Sequence, residues 1–177
     1  AIGVLLPEEY MTKDLCEFLQ TRLISVYADS DPENPDSMYR AVLAGVDGLI
    51  VDDIHLLYEF FTVFPEKTLL RKPLVIGHRG MSTHSPENTI EGSMLAYQAG
   101  ADVIELDIYL TSDNHIVVIH DSTTGRTMNG NLTVESSTLS QLRTLTILDS
   151  TGNFPGLRIP TLGDYFSAFQ NLDVQIF

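Results

Sequence analysis

One cysteine, ten basic side chains and no long apolar run set the first limits on this 177-residue chain. A single Cys16 excludes an intrachain disulfide and leaves cytoplasmic and secreted settings both open. Ten Lys and Arg against 24 Asp and Glu give a net charge of -14, and its long-range repulsion opposes nucleic acid and anionic membrane surfaces as partners. No stretch is apolar for long enough to cross a bilayer, and no low-complexity segment interrupts the chain. The composition is that of a soluble globular protein.

What is present is an ordered set of polar clusters, each placed where an apolar run breaks off: Gly77-His78-Arg79-Gly80, Pro86-Glu87-Asn88-Thr89, Glu105-Leu106-Asp107 and His120-Asp121. Val103 to Leu110 alternates as a strand, which puts Glu105 and Asp107 on one face and Ile104, Leu106 and Ile108 on the other. Two carboxylates on one face need a compensating charge, and a hard divalent cation such as Ca2+ or Mg2+ suits oxygen ligands. A solvated edge strand is the competing reading. The apolar segments on either side favour a covered parallel sheet instead.

His78 ends the run Leu74 to Gly77, and His120 ends the run Ile116 to Ile119, so the sequence predicts two imidazoles at equivalent strand ends. Such a pair can divide base and acid roles around one phosphate. Arg79 adds a guanidinium able to hold two phosphate oxygens, and Gly80 allows close backbone approach. Together these groups are the equipment of a metal-assisted phosphodiesterase. His55, in a helical segment, His84, in a loop, and His115, in a turn, carry no such pattern.

This ordered set resembles the signature of the glycerophosphodiester phosphodiesterase family, and the resemblance runs over roughly residues 73 to 177, through Arg126-Thr127-Met128-Asn129-Gly130 and Ile159-Pro160-Thr161-Leu162. The resemblance implies that His78 and His120 are general base and acid, that Arg79 holds the phosphate, and that Glu105 and Asp107 ligate the cation. It implies cleavage of a small-molecule glycerophosphodiester to glycerol 3-phosphate and an alcohol. One departure stands out: where the family has E-I-K, this chain has Gln175-Ile176-Phe177, so the third ligand position offers only an amide oxygen and the cationic amine is missing. A weakened or inactive member serving as a binding module is therefore an alternative, as is a related phospholipase D or lyase acting on lipids.

Strand and helix patterns alternate along the chain, which predicts a parallel α/β sheet, with strand candidates at Ile2, Ile24, Leu49, Leu74, Val103, Ile116 and Val174. Asn88 with Glu91 reads as an N-cap and capping box, Ile90, Met94 and Tyr97 as an apolar stripe, and Gly100 as the helix stop. Active-site residues at successive strand ends fit the (β/α)8 barrel, the fold the resemblance also implies. Residues 1–72 look like the closing βα units of such a barrel, yet they precede the opening units at 73–177. An internal echo, Ala44-Gly45-Val46-Asp47 against Ala99-Gly100-Ala101-Asp102, supports a repeated unit. The expectation is an incomplete barrel, permuted or cut across two tandem barrels, with a boundary near 65–73 and a small insertion about 121–161 over the mouth.

Overall fold

The alternating apolar patterns condense into six parallel strands backed by helices. The computed structural model describes residues 2–7, 10–31, 33–64 and 73–177. In chain order the elements are β1 (Ile2–Leu6), α1 (Lys13–Gln20), β2 (Ile24–Asp29), α2 (Pro35–Ala44), β3 (Gly48–Val51), α3 (Ile54–Phe61), β4 (Leu74–His78), α4 (Ile90–Gln98), β5 (Val103–Glu105), β6 (Ile108–Leu110), β7 (Ile116–Val118), a short 3-10 turn (Val134–Ser136), α5 (Leu139–Leu142), α6 (Leu162–Phe169) and β8 (Gln175–Ile176). One sheet runs β1-β2-β3-β4-β5-β8 with every neighbour parallel. That is two strands short of a (β/α)8 barrel among the described residues.

The sheet is curled. Tyr27 on β2 and Phe177 after β8 are four strand spacings apart along the sheet, roughly 19 Å if it were flat. Their ring centroids are 5.9 Å apart, so the sheet bends round to face itself. Burial divides accordingly: Val26, Leu49, Val51, Val75 and Ile104 point outward to meet Cys16, Met38, Ile54, Leu57 and Ala96 beneath the helices. Ile50, Ile76 and Val103 point inward and pack with Tyr27.

The sequence echo is structural. Gly45 ends α2 with φ of 82°, and Gly100 follows α4 with φ of 99°, so both take the left-handed conformation that only glycine adopts freely. Two residues on, Asp47 Oδ2 accepts the Val26 N–H at 2.8 Å and Asp102 Oδ2 accepts the Val75 N–H at 2.8 Å. Each aspartate then offers its backbone oxygen to the strand on its other side, Asp47 to Leu74 N and Asp102 to Gln175 N.

Three expectations are corrected. The predicted strand 103–110 is broken: β5 stays in the parallel sheet, whereas β6 leaves it to pair antiparallel with β7. The break occurs because Asp107 takes other partners, its N–H donating to Asn88 Oδ1 and its carbonyl accepting the Ile119 N–H. The Ile116 strand is thus half of a hairpin, not a barrel strand, and His120 stands two residues beyond it rather than at a position equivalent to His78. Thr89 rather than Asn88 caps α4, its hydroxyl accepting the Gly92 N–H at 3.1 Å, because the Asn88 side chain is committed to Asp107. The stripe of Ile90, Met94 and Tyr97 is as expected and packs on Tyr165 and Phe169.

The linker expected near 65–73 lies mostly outside the described residues. On either side of it, β3 and β4 pair from Gly48↔Leu74 to Val51↔Gly77, so the two segments share one sheet. Beyond β7 a small lobe has its own core of Val117, Ile119, Met128, Val134, Leu142 and Ile159.

Candidate active site

The carboxyl ends of β3, β4 and β5 supply the first side chains. Asp52 follows β3, His78 ends β4 and Glu105 ends β5, with His78 and Glu105 in register on adjacent strands. Immediately after β4 the backbone turns through two left-handed residues, Arg79 at φ of 54° and Gly80 at φ of 94°. An arginine in that conformation is strained, and its surroundings show what holds it there. Its backbone N–H donates to Glu105 Oε2 at 3.1 Å, one terminal nitrogen donates to Glu87 Oε1 at 3.2 Å, and Nε lies 3.3 Å from Asp107 Oδ2. The Nε is buried and makes no well-angled hydrogen bond, so its contact with Asp107 is an ion pair.

Glu87 is the hub on the other side. Its two oxygens accept from Arg126 at 2.6 and 2.7 Å, a bidentate pair that ties the small lobe to the loop before α4. Arg126 Nε also donates to Asp121 Oδ2 at 2.6 Å, and Asp121 Oδ1 lies 2.6 Å from Nδ1 of His120. A continuous chain of polar contacts therefore links His120, Asp121, Arg126, Glu87, Arg79 and the Glu105/Asp107 pair.

Both histidines are oriented in the same way. Nδ1 of His78 lies 2.9 Å from Asp52 Oδ1, which also accepts from the Ser82 hydroxyl at 2.8 Å. An ionised carboxylate can only accept, so Nδ1 must carry the proton in each pair and Nε2 is left as the working nitrogen.

The charges respond to these contacts. The hydrogen bond to Asp52 lifts the His78 pKa above its usual value, with burial opposing. The same bond holds Asp52 below the ordinary carboxylate range. Burial pushes Glu105 up, and the neighbouring charge of Asp107 adds to it. Partial burial pushes Glu87 up as well, but the hydrogen bonds and charge of Arg126, with those of Arg79, prevail and keep it low. Asp121 is held down at about 2, chiefly by Arg126 and then by His120.

Of the residues singled out in the sequence, His78, Arg79, Glu105 and Asp107 come together. His78 and Glu105 line one cleft, whereas His120 lines a neighbouring hollow with Glu87 and Asn88. Gln175 pairs in register with Val103, two residues below Glu105 along the strand direction, and is exposed. Asp52, Glu87, Asp121 and Arg126 were not assigned roles from the sequence, and Asn88 only that of a helix cap. Asp52 shares the strand-end position of His78 and Glu105, and the others lie inside or beside the motifs already quoted, which is the signal that could have found them.

Among the described residues no three His, Cys, Asp or Glu side chains cluster closely enough to cage a metal ion. Glu105 and Asp107 nevertheless fit a hard divalent cation by donor chemistry, since both offer carboxylate oxygens and the partial burial and the Asp107 charge that raise the Glu105 pKa are what a bound cation would offset. A Mg2+-like ion keeps several waters and needs only one or two carboxylates.

Residues 78–177 match the model of the glycerophosphoryl diester phosphodiesterase family. The chain is 48% identical over 103 residues to a glycerophosphodiester phosphodiesterase of Caldanaerobacter subterraneus subsp. tengcongensis, covering 58% of this chain and 42% of that one. It is 49% identical over 89 residues to a putative glycerophosphodiester phosphodiesterase of Bacillus subtilis, covering 50% and 37%. Among solved structures, a glycerophosphodiester phosphodiesterase from Agrobacterium tumefaciens superposes with a TM-score of 0.54 at 35% identity, over 58% of this chain and 44% of that one. A phosphodiesterase of Oleispira antarctica, in complex with the product sn-glycerol-3-phosphate, superposes with a TM-score of 0.55 at 31% identity, over 59% and 42%. The chain spans less than half the length of these relatives.

Proposed function

The chain belongs to the glycerophosphoryl diester phosphodiesterase family, and on that premise we propose that it hydrolyses a glycerophosphodiester to glycerol 3-phosphate and an alcohol. The observation that carries this reading is the pair of aspartate-bound histidines, Asp52 with His78 and Asp121 with His120, the second tied through Arg126 and Glu87 to Arg79, the residue that follows His78. Each histidine has Nδ1 occupied and Nε2 available, which is what proton transfer on two sides of one phosphorus requires.

His78 and His120 share the two transfers: one takes the proton of the attacking water or hydroxyl, and the other gives a proton to the alcohol oxygen as its bond to phosphorus breaks. Arg79, fixed by Glu87 and Asp107, places positive charge at the phosphate. Glu105 and Asp107 would hold a divalent cation, Ca2+ or Mg2+, which when bound neutralises phosphate charge as it develops. Asn88 and the Arg79 backbone N–H fix the two carboxylates from behind.

Phosphorus NMR of glycerophosphocholine incubated with the protein tests the proposal. Hydrolysis that stops in chelator and falls about 10² to 10⁴-fold in both His78→Ala and His120→Ala supports it. Near-normal turnover in either variant sinks the assignment. A second reading, a binding module without turnover, is favoured by the uncharged Gln175 and Phe177 and predicts substrate binding with no product.

A further inference from the structure

A second pair of histidines meets outside the diesterase site. His55, the second residue of α3, and His84, in the loop between β4 and α4, come from separate elements, and their ring centroids stand 6.1 Å apart at 83°. Both are exposed, whereas the neighbouring Asp53 is only 8% exposed. Asp53 Oδ1 caps α3 by accepting the His55 and Leu56 N–H groups at 2.9 and 3.3 Å, which leaves Oδ2 to face His84 Nδ1 at 3.6 Å. The pair follows the carboxyl ends of β3 and β4, which have further strands on both sides, so it does not stand at an open edge of the sheet.

Hydrogen bonding fixes which nitrogen of His84 is available. The Thr83 hydroxyl donates its single proton to the Asp52 carbonyl at 3.1 Å, so toward His84 Nδ1, 2.8 Å away, it can only accept. Nδ1 therefore carries a proton, with Asp53 Oδ2 beside it, and Nε2 keeps its lone pair in the neutral ring. An Nδ1–H held in this way, with a carboxylate next to it, is the arrangement that orients a metal-binding imidazole. Two imidazoles sharing one ion at about 2.0 Å per bond hold their ring centres roughly 5 to 6 Å apart, and small rotations of two exposed side chains cover the difference from 6.1 Å. Imidazole nitrogens suit Zn2+, Cu2+ or Ni2+, whereas the oxygens of Glu105 and Asp107 suit Mg2+ or Ca2+.

We propose that His55 and His84 form an open two-imidazole site for a transition metal ion, Zn2+ above all, with water completing the coordination and Asp53 orienting His84. The ion would clip α3 to the loop that carries Ser82 and Thr83, both of which donate to Asp52. It would thus staple the segment before β4 to the segment after it. The site shares no ligand with the diesterase site and does not depend on turnover.

The test is a Zn2+ titration of the whole chain in excess Mg2+, followed by imidazole NMR. The His55 and His84 ring signals should move together, and His55→Gln and His84→Gln should each weaken binding at least about tenfold. Asp53→Asn keeps the helix cap, because asparagine caps as well as aspartate does, and should weaken binding about tenfold through the lost charge. Zn2+ should also raise the unfolding temperature more in the protein than in either histidine variant. Ring signals of His55 and His84 that stay in place, or an affinity unchanged in any of the three variants, overturn the site. Zn2+ that moves only His78 or His120 belongs to the diesterase site and overturns it as well.

Discussion

Asn88 and Asp107 exchange two hydrogen bonds: Asn88 Nδ2 donates to Asp107 Oδ2 at 3.0 Å, and the Asp107 backbone N–H donates to Asn88 Oδ1 at 3.2 Å. The reciprocal bond fixes the carboxylate and the backbone of Asp107 together. Asn88 is 3% exposed and sits at φ of 56°, a conformation asparagine tolerates better than most residues.

Asn88→Ala should therefore weaken cation binding about 10- to 100-fold without unfolding the chain, the usual cost of removing a partner that orients a ligand. Isothermal titration with Mg2+ and with Ca2+ measures it. An affinity equal to that of the unaltered protein would show that Asp107 is not held by this exchange.

His78 should titrate above 6.5, and Asp52→Asn should bring its midpoint down, as read by imidazole NMR in chelator. A raised folded-state value means that the pairing stabilises the protein fully below the unfolded pKa and that this stability is lost as pH rises through the folded one. For Asp52 the sign is opposite: its contribution is present above the ordinary carboxylate pKa and disappears as pH falls through its lowered value. A His78 midpoint that is the same in both proteins contradicts the assigned hydrogen bond.

Gln175→Glu should tighten the cation about fivefold, the scale of a screened attraction between nearby charges. Calorimetry on the two proteins decides it. No change would mean that residue 175, in register with Val103, is too far below Glu105 to share the ion.

Gly80→Ala should destabilise the fold by about 2 kcal/mol, since a Cβ there adds strain at φ of 94° and meets backbone atoms of α4 at 2.8 Å. Urea unfolding gives the number. A loss below a few tenths of a kcal/mol would mean that the β4 to α4 packing yields easily.

The strands and the clustering of His78, Arg79, Glu105 and Asp107 were legible because apolar alternation and strand-end chemistry are local properties. The break after Glu105 was not. Alternation continues unbroken from Val103 to Leu110, and only the bonds of Asp107 to Asn88 and Ile119, made across long sequence separations, show where the chain leaves the sheet. Asn88 misled for a related reason: asparagine before a helix is a common cap, and its competing partner lies nineteen positions away on another element. The aspartates behind the histidines differ again. Asp121 is adjacent to its partner, whereas Asp52 meets His78 only once β3 and β4 are paired.

The Asp47 and Asp102 clips have a consequence for how such a sheet can be assembled. Each fastens its own strand to the strand on either side through bonds made inside a βα unit and its immediate neighbours, with no reference to where that unit falls in the chain. Register is thus stored unit by unit, like teeth on a ratchet, rather than by the order of the whole. Where β3 meets β4 the Asp47 carbonyl accepts the Leu74 N–H, just as the Asp102 carbonyl accepts the Gln175 N–H where β5 meets β8, so one and the same clip closes both pairings.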